Sequence, residues 1–168
     1  MDLNLSESTP SLEQILKCVS RLASTRVEVG LPSGAPARSR FLLAIHEHGS
    51  PVMHIPPRPV VQPALSQPEV RSSMAEALSS ACEAASRGDE SGMDAGFNEA
   101  GKAGADGIRS YIDSGISPPN APETVSGGWI YNRVAKKGVH VSGKGFNKPL
   151  YETGALAASF GYEVKTNG

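Results

Sequence analysis

Aromatic residues make up only 5% of the chain, cysteine occurs twice, and no apolar run approaches the ~20 residues of a membrane-spanning helix. Neither sign of charge is in excess, with 16 Lys and Arg against 17 Asp and Glu. No fixed-period repeat is present. Each absence excludes something. Without a long apolar run there is no helical membrane span, and without a period there is no solenoid or propeller. The balanced charge argues against a protein that binds nucleic acid through a global basic field. The opening Met1-Asp2-Leu3-Asn4-Leu5 lacks the basic-then-apolar order of a secretory leader, so a soluble protein made in a reducing cytoplasm is expected. Cys18 and Cys82 have no Cys-x-x-Cys partner and fall at positions compatible with apolar helix faces, which predicts two buried free thiols.

Glycine and proline are plentiful, 18 and 13 in 168 residues. That balance fits one domain with a modest core and long irregular segments, of a kind that order against neighbours in an assembly. Ser11 is a plausible N-cap, and Leu12, Ile15, Leu16, Val19 and Leu22 recur at helical spacing, predicting a helix over 10–24 with that face packed. Thr25, Val27 and Val29 alternate with polar residues, as in a strand with one buried face. A short helix is expected from about Ser39 to His48, with Phe41, Leu42, Ile45 and His48 inward and Gly49 as its stop. Pro51, Pro56, Pro57, Pro59 and Pro63 then predict a stiff, extended arm over 49–63.

Two long helices should follow, one from about Pro63 to Arg87 and one from about Ser91 to Ser114. Gly96, Gly101, Gly104 and Gly107 inside the second imply a closely packed neighbour. A loop region is expected over 115–149, with a hairpin possible around Trp129-Ile130-Tyr131 and Val139-His140-Val141. Residues 150–168 should close the fold, with Thr153 capping a short helix and Phe160, Tyr162 and Val164 alternating in a strand.

Several stretches together resemble the tail-completion, or head-tail joining, proteins of long-tailed bacteriophages, a family related to phage virion-morphogenesis proteins. They are Ile45-His46-Glu47-His48-Gly49, then Ile55-Pro56-Pro57-Arg58-Pro59-Val60-Val61-Gln62-Pro63-Ala64, then Pro118-Pro119-Asn120-Ala121-Pro122. The last is Lys148-Pro149-Leu150-Tyr151-Glu152-Thr153-Gly154-Ala155-Leu156, which runs on into Ser159-Phe160-Gly161-Tyr162-Glu163-Val164. The second stretch is similar to the family's Ile-Pro-Ala-Arg-Pro-Phe-hydrophobic-Arg-Pro segment, and the fourth to its Lys-Pro-Leu-Ile-Asp-Thr-Gly-Gln-Leu. Pro57, Val60, Gln62, Glu152 and Ala155 depart from those patterns.

The resemblance implies an α+β fold, with a small twisted antiparallel or mixed sheet, two long helices and a short N-terminal helix. It implies a non-enzymatic structural virion protein at the neck, without cofactor or metal. The partners implied are copies of itself in a hexameric ring, the tail terminator, the tail tube and the head-connector proteins, with no membrane. A tail-terminator ring is the nearest alternative, and a small DNA-binding domain a more distant one. Candidate partner contacts are Ile55, Pro56, Pro57, Arg58, Pro59 and Val60, with Arg58 available for bidentate carboxylate pairing. Candidate contacts to DNA in the channel, or to an acidic partner, are Arg133, Lys136, Lys137, Lys144 and Lys148, near Trp129 and Tyr131.

Other chemistry finds less support. His46 and His48 lie two apart, unlike the four-residue spacing of zinc-binding His pairs on a helix, and His54 is farther along. Glu47, Asp106, Asp113 and Glu152 define no acid-base pair, and Gly143-Lys144-Gly145 is no phosphate-binding loop.

Overall fold

The computed structural model describes residues 10–52, 54–132, 135–150 and 153–167. They form an α+β fold of two compact units, each assembled from separated stretches of the chain. None of the described helices is long and apolar enough to cross a membrane.

The first unit contains residues up to 29, 67–105 and those from 161 onward. Its helix α1 (Leu12–Ser24) starts at a capping box. Ser11 Oγ accepts from the Gln14 amide at 3.2 Å, and Gln14 Oε1 accepts from the Ser11 amide at 2.9 Å. Strand β1 (Thr25–Gly30) follows directly and pairs with the last strand, β4 (Gly161–Thr166). Thr25 meets Thr166 and Glu28 meets Lys165, so partners advance along β1 as they recede along β4, the sense of an antiparallel pair.

Helix α4 (Pro68–Ser86) and the long helix α5 (Glu90–Asp113) supply the rest of this core. The expected single helix from Pro63 is instead divided. Pro68 has no amide to donate and holds Gln67 extended at ψ 135°, so a short helix α3 (Val61–Leu65) ends before it and α4 begins at it. Gly88, at φ 70°, turns the chain out of α4, and Asp89 Oδ1 accepts from the Gly92 amide at 2.9 Å to cap α5. Cys18, Ala81, Ala84, Ala85, Met93 and Phe97 form the buried cluster, with Leu22, Val27, Leu78 and Val164 against it. Small residues on α4 allow close approach. A Cβ at Gly96 would lie 2.7 Å from both the Ala77 carbonyl oxygen and the Ala81 Cβ.

Two expectations are corrected in this unit. Leu12, Leu16 and Val19 do not face a core but are exposed, while Cys18 is buried and Leu22 half-buried. Cys18 is the residue of α1 turned inward instead, against Ala81, Ala84, Ala85, Met93 and Phe97, and ion pairs from Lys17 to Glu90 and from Arg21 to Asp94, both 2.7 Å, lie at the surface beside it. Cys82 is exposed, because the buried line of α4 runs through Ala77, Ala81, Ala84 and Ala85 and leaves position 82 outside it.

The second unit contains residues 30–66 and 106–160. It holds α2 (Ala37–His48), α3, the last turns of α5, α6 (Pro122–Ser126), the strands β2 (Gly127–Asn132) and β3 (Lys137–Ser142), and α7 (Ala155–Ser159). Its buried side chains include Val60, Ala64, Ile108, Ile112, Ile116, Leu156 and Phe160. Helices α2 and α7 pack together, with Ser39 Oγ and Ser159 Oγ 2.9 Å apart. Phe41 and His48, expected inward, are exposed.

The hairpin expected near Trp129 is present as β2 and β3, antiparallel, with Trp129 opposite His140, Ile130 opposite Val139 and Tyr131 opposite Gly138. The expected sheet is therefore two separate two-stranded sheets, β1 with β4 and β2 with β3. The arm over 49–63 is not extended throughout. Ser50 and Ile55 exchange backbone hydrogen bonds of 2.8 and 3.0 Å, which folds the chain back before it runs on to α3.

Candidate functional site

The proline segment is locked onto the second unit by its one cation. Arg58 is only 6% exposed, and its guanidinium forks onto two successive carbonyls, Nε donating to Pro118 O at 2.7 Å and Nη2 to Pro119 O at 2.8 Å. A planar guanidinium fork suits two carbonyl acceptors in series. Burial pulls the Arg58 pKa below the ordinary guanidinium value. Among the described residues no carboxylate lies within ion-pair distance of it, so the charge is held by carbonyl dipoles.

Glu47 acts on the other side of the same segment. Its Oε1 accepts from the amides of Val60 at 2.8 Å and Val61 at 3.0 Å, satisfying donors at the start of α3. The Arg58 amide donates to His46 O at 2.6 Å. Gly49, at φ 71°, leaves no room for a side chain, since a Cβ there would meet Ile55 O at 2.8 Å and the Pro57 nitrogen at 2.9 Å.

These contacts correct part of the expected partner surface. Arg58 and Val60 are buried within the unit and do not reach outward, because Arg58 finds its acceptors in the same unit and Val60 is wholly enclosed. Ile55 is half-buried, and Pro56, Pro57 and Pro59 are exposed. Beside them lies a depression of about 300 Å³ lined by His48, Gly49, Ser50, Pro51, His54, Ile55, Pro56 and Pro57.

Other candidate groups are occupied by structural bonds. Asp106 pairs with Arg109 at 2.5 Å, and Arg109 Nη2 donates to Phe160 O at 2.6 Å. Asp113 pairs with Lys148 at 2.7 Å. Glu152 lies outside the described residues. Among those described, no group of three or more His, Cys, Asp or Glu side chains is placed to hold a metal ion.

His46 is half-buried, and its Nδ1 has no hydrogen-bond partner among the described residues. Burial, and then the charges of Arg58 and Lys144, hold its pKa below the ordinary 6.5. The folded state therefore favours neutral His46. Its contribution to stability is complete above pH 6.5 and is lost as the pH falls through the lower folded value. The urea midpoint is expected to fall between pH 7.5 and pH 5, by less in His46→Gln than in the parent. Equal falls in both proteins would show that His46 is not the group responsible.

The basic candidates separate. Lys136 and Lys137 are exposed at the turn end of the β2–β3 hairpin. Lys144 lies beyond its other end, with Nζ 5.6 Å from the Phe146 ring centroid. Lys148 is engaged by Asp113, and Arg133 lies outside the described residues. The aromatic groups are presented outward, Trp129 being 75% and Tyr131 66% exposed, with His140 edge-on to the Trp129 ring at 5.6 Å. At the base of the hairpin, the amides of Lys144 and Gly145 donate to Thr124 O and Val125 O, both at 2.9 Å, tying it to α6.

Sequence reading missed α3, α6 and the carbonyl acceptors of Arg58. Only the last had a signal, the paired prolines at 118 and 119. Comparison with known proteins gives no match to any family model, curated protein or solved structure.

Proposed function

We propose that this chain is a structural virion protein of a tailed bacteriophage, working at the head-tail junction as a tail-completion or neck subunit. The observation that carries the reading is the meeting of the segments on which the phage resemblance rests. Arg58, in the Ile55–Ala64 stretch, is hydrogen-bonded to Pro118 and Pro119 of the Pro-Pro-Asn-Ala-Pro loop. The Asn120 amide in that loop donates to Asn147 Oδ1 at 2.9 Å, and Lys148 beside Asn147 is fixed by Asp113. Pieces that lie some 60 and 27 positions apart in sequence are thus parts of one bonded cluster.

Exposed apolar groups further support a subunit that is completed by neighbours. Leu12, Leu16 and Val19 lie on one side of α1, and Trp129, Ile130 and Tyr131 on the hairpin. The work of such a subunit is geometric: it docks, closes a ring with copies of itself, and bridges the tail tube and terminator to the head connector. No turnover of substrate enters this reading.

Cryo-electron microscopy of purified virions tests it. A ring of this chain between tail tube and head connector is expected, with Pro56, Pro57 and Pro59 against a neighbour. Absence of the chain from purified particles would overturn the assignment, and density at the terminator layer would transfer it to the tail-terminator alternative.

A further inference from the structure

We propose that the β2–β3 hairpin is a binding finger for single-stranded nucleic acid, with Trp129 and Tyr131 stacking on bases and Lys136, Lys137 and Lys144 meeting the phosphates. This inference is independent of the junction assignment.

The charge distribution comes first. Residues 124–150 contain five Lys and Arg and no Asp or Glu, so the rest of the chain carries eleven cations against all 17 carboxylates. A chain with a net charge of −1 thus concentrates its positive charge on the hairpin and the loop that follows it. Polyanions are drawn to such a segment and repelled elsewhere, which makes a phosphate backbone a complementary occupant.

The second observation is geometric. Trp129 and Tyr131 are two residues apart on one strand and so project from the same face, about 7 Å apart along it. Gly138 stands directly opposite Tyr131, so no side chain straight across the strand pair covers that ring, and His140 packs T-shaped against Trp129 with ring centroids 5.6 Å apart. Both rings are largely exposed, Trp129 by 75% and Tyr131 by 66%, which leaves them accessible to a planar ligand. Lys136 and Lys137 at one end and Lys144 beyond the other bracket the strand pair over roughly 20 Å, Lys137 standing opposite Asn132 and so on the face away from the two rings. Stacking groups flanked by cations are what sequence-tolerant strand binding requires. An acidic protein would satisfy the lysines but give no reason for two uncovered rings on the same face.

The base is built to hold the finger steady. Gly127 approaches Gly143 so closely that a Cβ on Gly127 would lie 2.6 Å from the Gly143 nitrogen, and the amides of Lys144 and Gly145 extend the pairing to α6.

Trp129 is the sole tryptophan, so its emission reports directly on the site. The full chain is titrated with oligodeoxythymidylate at low salt, with a fluorescein-labelled copy read by anisotropy in parallel. Quenching is expected, with affinity falling as KCl rises at a log–log slope of about −2, from ~0.7 per phosphate met by each of three lysines. Tyr131→Ala should weaken binding about tenfold. Lys136→Gln with Lys137→Gln should bring the slope to about −0.7. All these positions are exposed, and unchanged urea midpoints would show that the variants fold.

Absence of both quenching and anisotropy change at low salt would overturn the proposal. So would equal affinity for duplex DNA without quenching, which would mean contact with phosphates alone. Competition by polyglutamate as effective as by the oligonucleotide would point instead to an acidic protein. Emission that depends on protein concentration, with no response to nucleic acid, would point to a second copy of the chain.

Discussion

Gly96→Val is expected to destabilise the first unit by about 3 kcal/mol or more, and Gly96→Ala by about 2 kcal/mol, read as losses in urea midpoint at constant slope. Alanine is the better helix former by about 1 kcal/mol, so propensity alone predicts stabilisation. Packing decides otherwise. The new Cβ would meet the Ala77 carbonyl oxygen at 2.7 Å and the Ala81 nitrogen at 2.8 Å, both backbone atoms of α4 that cannot turn aside as a side-chain end would. The two helices would have to separate, loosening Met93 and Phe97 in the adjoining cluster. Gly34 offers the control, since a Cβ there meets nothing within 4 Å and its φ is not one that disfavours side chains. Gly34→Ala should change stability by less than about 0.5 kcal/mol. If Gly96→Ala proves as harmless, α4 and α5 are not in the close contact described.

Arg58→Ala is expected to cost about 3 kcal/mol, the loss of two charge-assisted hydrogen bonds and of the packing around the guanidinium stem. The figure stays below the sum of two such bonds for a physical reason. Pro119 is exposed and Pro118 half-buried, so the carbonyls released can be rehydrated. Arg58→Lys should recover only part of the loss, because a single ammonium cannot fork across two carbonyls in sequence. Limited proteolysis sharpens the measurement. Cleavage between residues 115 and 121 should accelerate in both variants, more in the alanine one, while β1 and β4 stay protected. A wild-type rate of cleavage in Arg58→Ala would mean that the loop is held by Asn147 and its neighbours without help from Arg58.

Where structure follows from local pattern, it was legible in the sequence. The capping residue Ser11, the alternation in β1, the stop at Gly49 and the small residues of α5 each predict what is present. The hairpin centred on Trp129 and His140 also lies where alternation places it. What could not be read depends on partners remote in sequence. The inward side of α1 is the one that meets Ala81, Ala84, Ala85, Met93 and Phe97 far downstream in sequence, so its apolar periodicity alone points the wrong face inward. The same holds for Arg58. Its surroundings in sequence are prolines and valines, which suggest an exposed arm, and its acceptors lie 60 and 61 positions downstream. Cys82 was misplaced for a smaller reason, since one residue of phase on a helix exchanges inside for outside.

The grip of Arg58 on Pro118 and Pro119 is directed at main-chain oxygen, and every amino acid carries one. The loop could exchange its side chains one after another without losing the feature that is recognised, provided its path stayed the same. What is read there is the course of the chain and not its letters, so descendants of this protein could diverge widely in that loop and still close the same latch.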